Sequence, residues 1–209
     1  MLKTGLCIVL FALAAGCAPK QKPLTDYVNP LLGTATLWDS VDLGFKPTKR
    51  TWGAEVFPGS SLPNAMVQVS PVTKFHSGAG YQYEDSVIYG FTHTNKGHWN
   101  LCHIPLLPVT GTPTPGDYCS PFSHERESAA PGYYQVFLDR YGVDAQLSST
   151  LRCAFHKYTY PAGAAASLLA DLQRSNEHVR AWDIRKEGDN VFAGWQQTGE
   201  KMYFYAVAN

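Results

Sequence analysis

Between Gly90 and Gly111 the chain reads GFTHTNKGHWNLCHIPLLPVTG, which gathers three histidines, a tryptophan, two asparagines and a cysteine. Such residues hold a metal, activate a nucleophile, grip a sugar or fill a core. His93, His98 and His103 are five apart. Ligands sharing a helix face stand three or four apart, and on a strand His98 points away from the other two. His98 and Cys102 are four apart, but no second pair at ligand spacing follows, so the zinc pattern is incomplete. A catalytic Cys or Ser needs an oriented base and an oxyanion donor, and no G-x-S-x-G or similar motif supplies them. Cys102 runs into HIPLLP, which reads as a buried strand and makes the thiol a packed one. Carbohydrate recognition suits the residue types better. Trp99 offers a flat apolar face to the C–H side of a sugar ring, while His98, Asn100 and His103 offer donors and acceptors to its hydroxyls. The same side chains would equally fill a core rich in Tyr and Trp. Carboxylates at Glu55, Glu84 and Asp85 are read as solvated or capping groups.

The elements that must position this stretch are strands. From Gly132 onward, GYYQVFLDRYG, VDAQLSSTLRCAFHKYTYP, AASLLADLQ, VRAWDIRKEGDNVFAGWQQTG and KMYFYAVAN are rich in aromatic and β-branched residues and are punctuated by Gly, Pro and Asp-Asn. The period of two places Tyr134, Val136 and Leu138 on one face, and Val143, Ala145 and Leu147 on another. Glu187 to Asn190 reads as a hairpin tip. Upstream, DYVNPLLGT and FPGSSLPNAMVQVSP alternate short apolar runs with turn residues. The helical period is nearly absent. These patterns predict an all-β chain forming an antiparallel β-sandwich. The chain stops within YFYAVAN, an apolar strand of the kind that lies inside a sheet or leads to more protein.

With 209 residues and 44% hydrophobic content, a sizeable core is assured. Lys+Arg and Asp+Glu balance at 17 each, so no basic stripe exists for nucleic acid. Lys3 precedes an apolar run from Gly5 to Ala15 that is too short to span a bilayer, which predicts a signal peptide over residues 1–16. LAAGC places small residues ahead of Cys17, the pattern of a bacterial lipoprotein whose thiol is acylated. Residues 17–25 then form a polar tether. This predicts export, with a lipid anchor at the outer membrane or release into the periplasm. Membrane attachment would run through that lipid alone. Cys102, Cys119 and Cys153 remain, an odd number, and their disulfide state is open.

YVNPLLGT at Tyr27 to Thr34, FPGSSLPNAMVQVSP at Phe57 to Pro71, GYQYEDSVIYGFTHT at Gly80 to Thr94 and LLPVTG at Leu106 to Gly111, in this order, resemble the N-terminal domain of glycoside hydrolase family 92. AFHKYTYP at Ala154 to Pro161 is similar to the strand after that family's long crossover. The resemblance covers residues 26–209 and implies a galactose-mutarotase-like supersandwich. It also implies exo-α-mannosidases of Bacteroidetes acting on mannose-containing glycans with inversion, calcium lying between this domain and a C-terminal (α/α) barrel. The catalytic acid, base and most calcium ligands of such enzymes belong to that barrel, so no catalytic residue, metal ligand or cofactor is assigned to this chain, which is expected to be inactive alone. The loop NKGHWNLCH is carried over to the pocket wall, with His98, Trp99 and Asn100 as sugar contacts and His93 and His103 as loop supports. Trp52 and Glu55, ahead of Pro63, are expected on a neighbouring loop. PNAM at Pro63 to Met66 and THTNKGHWN depart from the family's usual PFGM and THLSGTG-like segments, which points to a different linkage preference. The alternative is a stand-alone carbohydrate-binding surface lipoprotein.

Overall fold

The computed structural model describes residues 21–37, 44–46, 55–95 and 101–209. Cys17, Trp52, His98, Trp99 and Asn100 lie outside the described residues. In chain order the strands are β1 (Ser60–Ser61), β2 (Gln68–Val72), β3 (Val87–Ile88), β4 (Gly90–Thr92), β5 (Leu106–Thr110), β6 (Ser120–Pro121) and β7 (Glu127–Ala130). They continue as β8 (Tyr133–Leu138), β9 (Val143–Ser149), β10 (Ala154–Thr159), β11 (Ala166–Ala170), β12 (Ala181–Gly188), β13 (Val191–Gln197) and β14 (Lys201–Val207). The described helical turns are short 3₁₀ segments, Leu24–Tyr27 and His124–Arg126. The chain is all-β, as its pattern predicts.

Two sheets face each other. One has the order β1-β2-β4-β5-β11 and the other β10-β9-β8-β7, and every recorded pairing is antiparallel. The alternation in β8 buries Tyr134, Val136 and Leu138 completely, and β9 does the same with Val143, Ala145 and Leu147. The register sets Tyr134 opposite Leu147, Val136 opposite Ala145 and Leu138 opposite Val143, so one face of this hairpin is wholly apolar. Gly142, at φ 65°, closes the turn, and its N–H donates to Leu138 O at 2.8 Å. Val69 from β2, Phe91 from β4 and Leu107 and Val109 from β5 meet this face and complete the core. Each such side chain contributes about 1.5–3 kcal/mol on burial.

One carboxylate sits inside this apolar layer. The Glu127 side chain is fully buried, and the hydroxyls of Tyr81 and Tyr134 donate to it at 2.9 and 2.6 Å. Its third partner is His124 Nδ1. His124 Nε2 lies 2.7 Å from the Tyr83 carbonyl, which only accepts, so Nε2 carries a proton. The carboxylate thereby ties β7 and β8 to the Tyr81–Tyr83 segment.

A third sheet, β12-β13-β14, is a meander whose first turn falls at Asp189 and Asn190, within the expected tip. On β14, Tyr203, Tyr205 and Val207 are exposed.

The core makes a direct demand. Leu147→Ala is expected to lower the free energy of unfolding by about 3 kcal/mol in urea titrations, whereas Phe155→Ala, on the exposed side of β10, should stay within about 0.5 kcal/mol of the parent.

Candidate functional site

The chemistry-bearing stretch leaves β4 and returns to β5 through a buried segment that is not a strand. His103–Pro105, expected to be extended, is irregular, and regular pairing starts only at Leu106. The physical reason lies in the backbone. Leu101, Cys102 and Ile104 take φ of 65°, 58° and 55°, the left-handed region, which is disfavoured for such residues and especially for β-branched Ile. Extended pairing cannot pass through them.

Partners compensate for this strain. Leu101 O accepts from Asn176 N at 3.0 Å and from Ser175 Oγ at 2.7 Å. Cys102 N donates to Thr94 O at 2.9 Å, and His103 O accepts from His93 N at 3.0 Å. Ile104 N donates to Gln196 Oε1 at 2.8 Å, and Pro105 O accepts from Asp171 N at 3.1 Å. Gln196, wholly buried, also donates through Nε2 to Leu172 O and Arg174 O at 3.0 and 2.9 Å. The third sheet is thereby fastened to the root of the loop.

Other loops converge on the same end. Asn176 accepts from His76 N at 2.8 Å and donates to Gly78 O at 3.0 Å. Asn95 donates to Ala79 O at 2.5 Å. Gly80 is required here, since a Cβ would come within 2.8 Å of Cys102 Sγ and its φ is 82°. Glu55, half-buried at φ 52°, packs against the Gly78 backbone and lines a small recess with Thr34, Ser77 and Gln82. His76, Glu55, Leu101, Cys102 and Ile104 thus place left-handed, non-glycine backbone at one end of the molecule. Such strain accumulates where a surface is held in a set shape for function.

His103 and His93 differ in role. His103 is buried between Thr94 Oγ1 at 2.7 Å and Thr198 Oγ1 at 2.9 Å, and burial holds its pKa below the usual value despite Glu177. His93 belongs to a directional chain. Its Nδ1–H donates to Ile104 O at 2.7 Å, because a carbonyl only accepts, which leaves Nε2 as an acceptor. His156 Nε2 therefore donates to it at 3.0 Å, and the Tyr158 hydroxyl donates to His156 Nδ1 at 2.6 Å. Both imidazoles are neutral. Burial pushes His93 down to about 4 and His156 well below its ordinary value. Burial likewise raises the Cys102 thiol to about 12 and makes it inert, while Cys119 and Cys153 are also free thiols. Glu84 accepts from the Thr36 N–H and hydroxyl, and Asp85 from the Thr73 hydroxyl at 2.8 Å, so both brace loops.

The structure thus brings His93 and His103 to the root of the segment that runs into β5 and sets Glu55 beside Gly78, while Trp52, His98, Trp99 and Asn100 lie outside the described residues. It also reveals residues that sequence reasoning passed over, namely Asn176, Gln196, His156 and Gln82. Their partners stand up to 100 residues away in the chain, and no local motif marks them.

The arrangement has relatives. The model of the glycosyl hydrolase family 92 N-terminal domain matches residues 27–209. The chain belongs to glycosyl hydrolase family 92. Its fold is similar to that of the family 92 α-mannosidase BT3965 from Bacteroides thetaiotaomicron, with TM-score 0.75 and 27% identity over 88% of this chain. A second structure of that enzyme, in complex with mannoimidazole, gives 0.74 and 28%. The family 92 inverting mannosidase BT2199 from Bacteroides thetaiotaomicron VPI-5482 shares the fold at TM-score 0.70 and 24% identity over 89% of this chain. In each case the match spans 25% of the longer protein. Among curated proteins none matches. In this family 92 chain, then, the loop end belongs to a domain that makes up one quarter of those enzymes.

The neutral imidazoles set a pH limit. Because their folded pKa values lie below that of an unfolded histidine, their contribution is fully present above about pH 6.5 and is lost as pH falls towards about 4. Urea midpoints across that window should fall by an amount equivalent to about 3 kcal/mol, and His156→Gln should flatten the dependence.

Proposed function

We propose that this chain is the substrate-pocket domain of a family 92 exo-α-mannosidase, whose loop end forms one wall against a mannose-containing glycan. The match to the family's N-terminal domain over residues 27–209 carries the reading. Further support comes from the relative solved with mannoimidazole and from the strained, hydrogen-bonded segment from Leu101 to Pro105 that follows Asn100 in the chain. On this reading Trp99 stacks on the apolar face of the sugar, and His98 and Asn100 meet its hydroxyls, with Trp52 and Glu55 alongside.

Inverting hydrolysis needs an acid to protonate the leaving oxygen and a base to activate water, about 6.5–9.5 Å apart. The described carboxylates near the site do other work: Glu84 and Asp85 brace threonines, and Glu127 is sealed between tyrosines. On the family likeness, the acid, the base and the calcium are assigned to the (α/α) barrel, outside this chain. The chain's own part is to bind and orient the sugar and to exclude water from one side. Export and acylation at Cys17 complete the proposal, and labelling with a radioactive fatty acid, lost in Cys17→Ser, tests them.

A second reading, a stand-alone carbohydrate-binding lipoprotein, is favoured by the apolar core that this chain's own two sheets build between them. The two readings part on binding. Assayed with an aryl α-mannoside and calcium, the isolated chain should give no turnover, and appreciable turnover would overturn the assignment of acid and base elsewhere. In calorimetric titration with manno-oligosaccharides, binding by the chain alone that weakens about tenfold in Trp99→Ala favours the stand-alone reading. Binding that emerges only when the barrel is supplied favours the pocket-wall reading.

A further inference from the structure

The recess beside Glu55 has no task in the fold. It encloses about 10 Å³, room for one water-sized group, between the Gly33–Thr34 turn, the Ser77–Ala79 loop, Glu55 and Gln82. Gln82 is only 6% exposed. Its backbone is bonded, with the N–H donating to Thr73 Oγ1 at 2.9 Å and the carbonyl accepting from Asp85 N at 3.1 Å. Its side-chain amide has no hydrogen-bond partner among the described residues. No fully sealed side-chain polar atom there lacks a partner, so the amide keeps its contact with solvent, and the recess it lines provides that contact.

An amide whose contact with solvent runs through a small recess offers its hydrogen bonds to whatever group enters there. The neighbours define which guest. The Thr34 hydroxyl donates to Leu31 O at 2.8 Å and the Ser77 hydroxyl to Lys74 O at 2.5 Å. With their protons committed, both offer lone pairs only. The recess is therefore lined by an amide that can both donate and accept, by hydroxyls whose protons are committed and by the Glu55 side chain, around room for one water-sized group. A hydroxyl, donor and acceptor at once, complements that set.

We propose that this recess seats a single hydroxyl group of the bound sugar, held by Gln82, and that it selects the ring position whose hydroxyl reaches it. This rests on the reading of the loop end as a sugar-contacting wall. Ala79, which lines the recess, accepts a hydrogen bond from Asn95, the last described residue ahead of Trp99 in the chain.

The test uses the isotope-labelled full chain, supplied with the barrel if the sugar binds only then. Methyl α-mannoside should shift the Gln82 side-chain amide resonances. Gln82→Leu should weaken binding about tenfold, while Gln82→Glu, which keeps the shape and one acceptor, serves as the control for folding. One of the monodeoxy mannosides should lose the same factor against the parent and lose nothing further against Gln82→Leu. If mannoside binds and Trp99 matters, but the Gln82 amide stays still and every deoxy sugar loses equally in both proteins, the recess holds an ordered water only and the inference falls alone. If no sugar binds in either setting, the pocket-wall reading falls and takes the inference with it.

Discussion

A buried backbone that is not a strand must find a partner for each of its polar groups, and the segment from Leu101 to Pro105 is where this fold meets that constraint. Three left-handed residues deny it a ladder, and partners come to its N–H and carbonyl groups singly, from Thr94, His93, Ser175, Asn176, Asp171 and the side chain of Gln196. These partners come from the residues that follow β4, from the loops around Asp171 to Asn176 and from β13. The third sheet, the loop cluster and the sandwich are therefore joined at one polar seam. The apolar core holds the two layers together, but it has no directionality and cannot set the path of the loops at this end. The seam sets that path.

The electrostatics of the interior follow from the same economy. Buried groups that ionise are either kept neutral or bonded several times over. His93 and His156 share one proton-ordered chain that ends on the Ile104 carbonyl, so a charge on His93 would bring two N–H groups face to face, and one on His156 would force the Tyr158 hydroxyl to accept instead of donate. Glu127 stays inside because two phenols and an imidazole satisfy its oxygens. Both arrangements bridge elements distant in the chain, and both replace what hydrophobic contact alone leaves loose, the relative setting of neighbouring segments.

Much of the sandwich was legible in the sequence because the period of two is a local property. Tyr134, Val136, Leu138, Val143, Ala145 and Leu147 are found on the buried faces that alternation assigns them, and the Asp189–Asn190 turn falls within the expected tip. The buried character of Cys102 was legible too, from the apolar run that follows it. The irregular path through Ile104 was not, because its left-handed backbone is imposed by partners such as Gln196, 92 residues on. His156 read as one more residue in a strand, and only the fold brings its ring to His93. Gln82 and Asn176 are ordinary polar letters in the sequence, and their meaning comes from burial, which composition does not report. Glu55 lines a recess with Thr34, Ser77 and Gln82, while Trp52, His98, Trp99 and Asn100 fall outside the described residues.

The meander of β12, β13 and β14 is fastened through its middle strand, by Gln196. Among the described residues neither of its outer strands has a neighbour on the far side, and Tyr203, Tyr205 and Val207 stand in solvent. Such rims are templates along which another extended chain anneals, backbone to backbone. What guards these rims is hydrated charge: Arg185, Lys186 and Glu187 along β12, and Lys201 on β14, poised 3.9 Å from the centre of the Trp195 ring. A strand that annealed there would have to strip water from those ions before its first ladder bond closed.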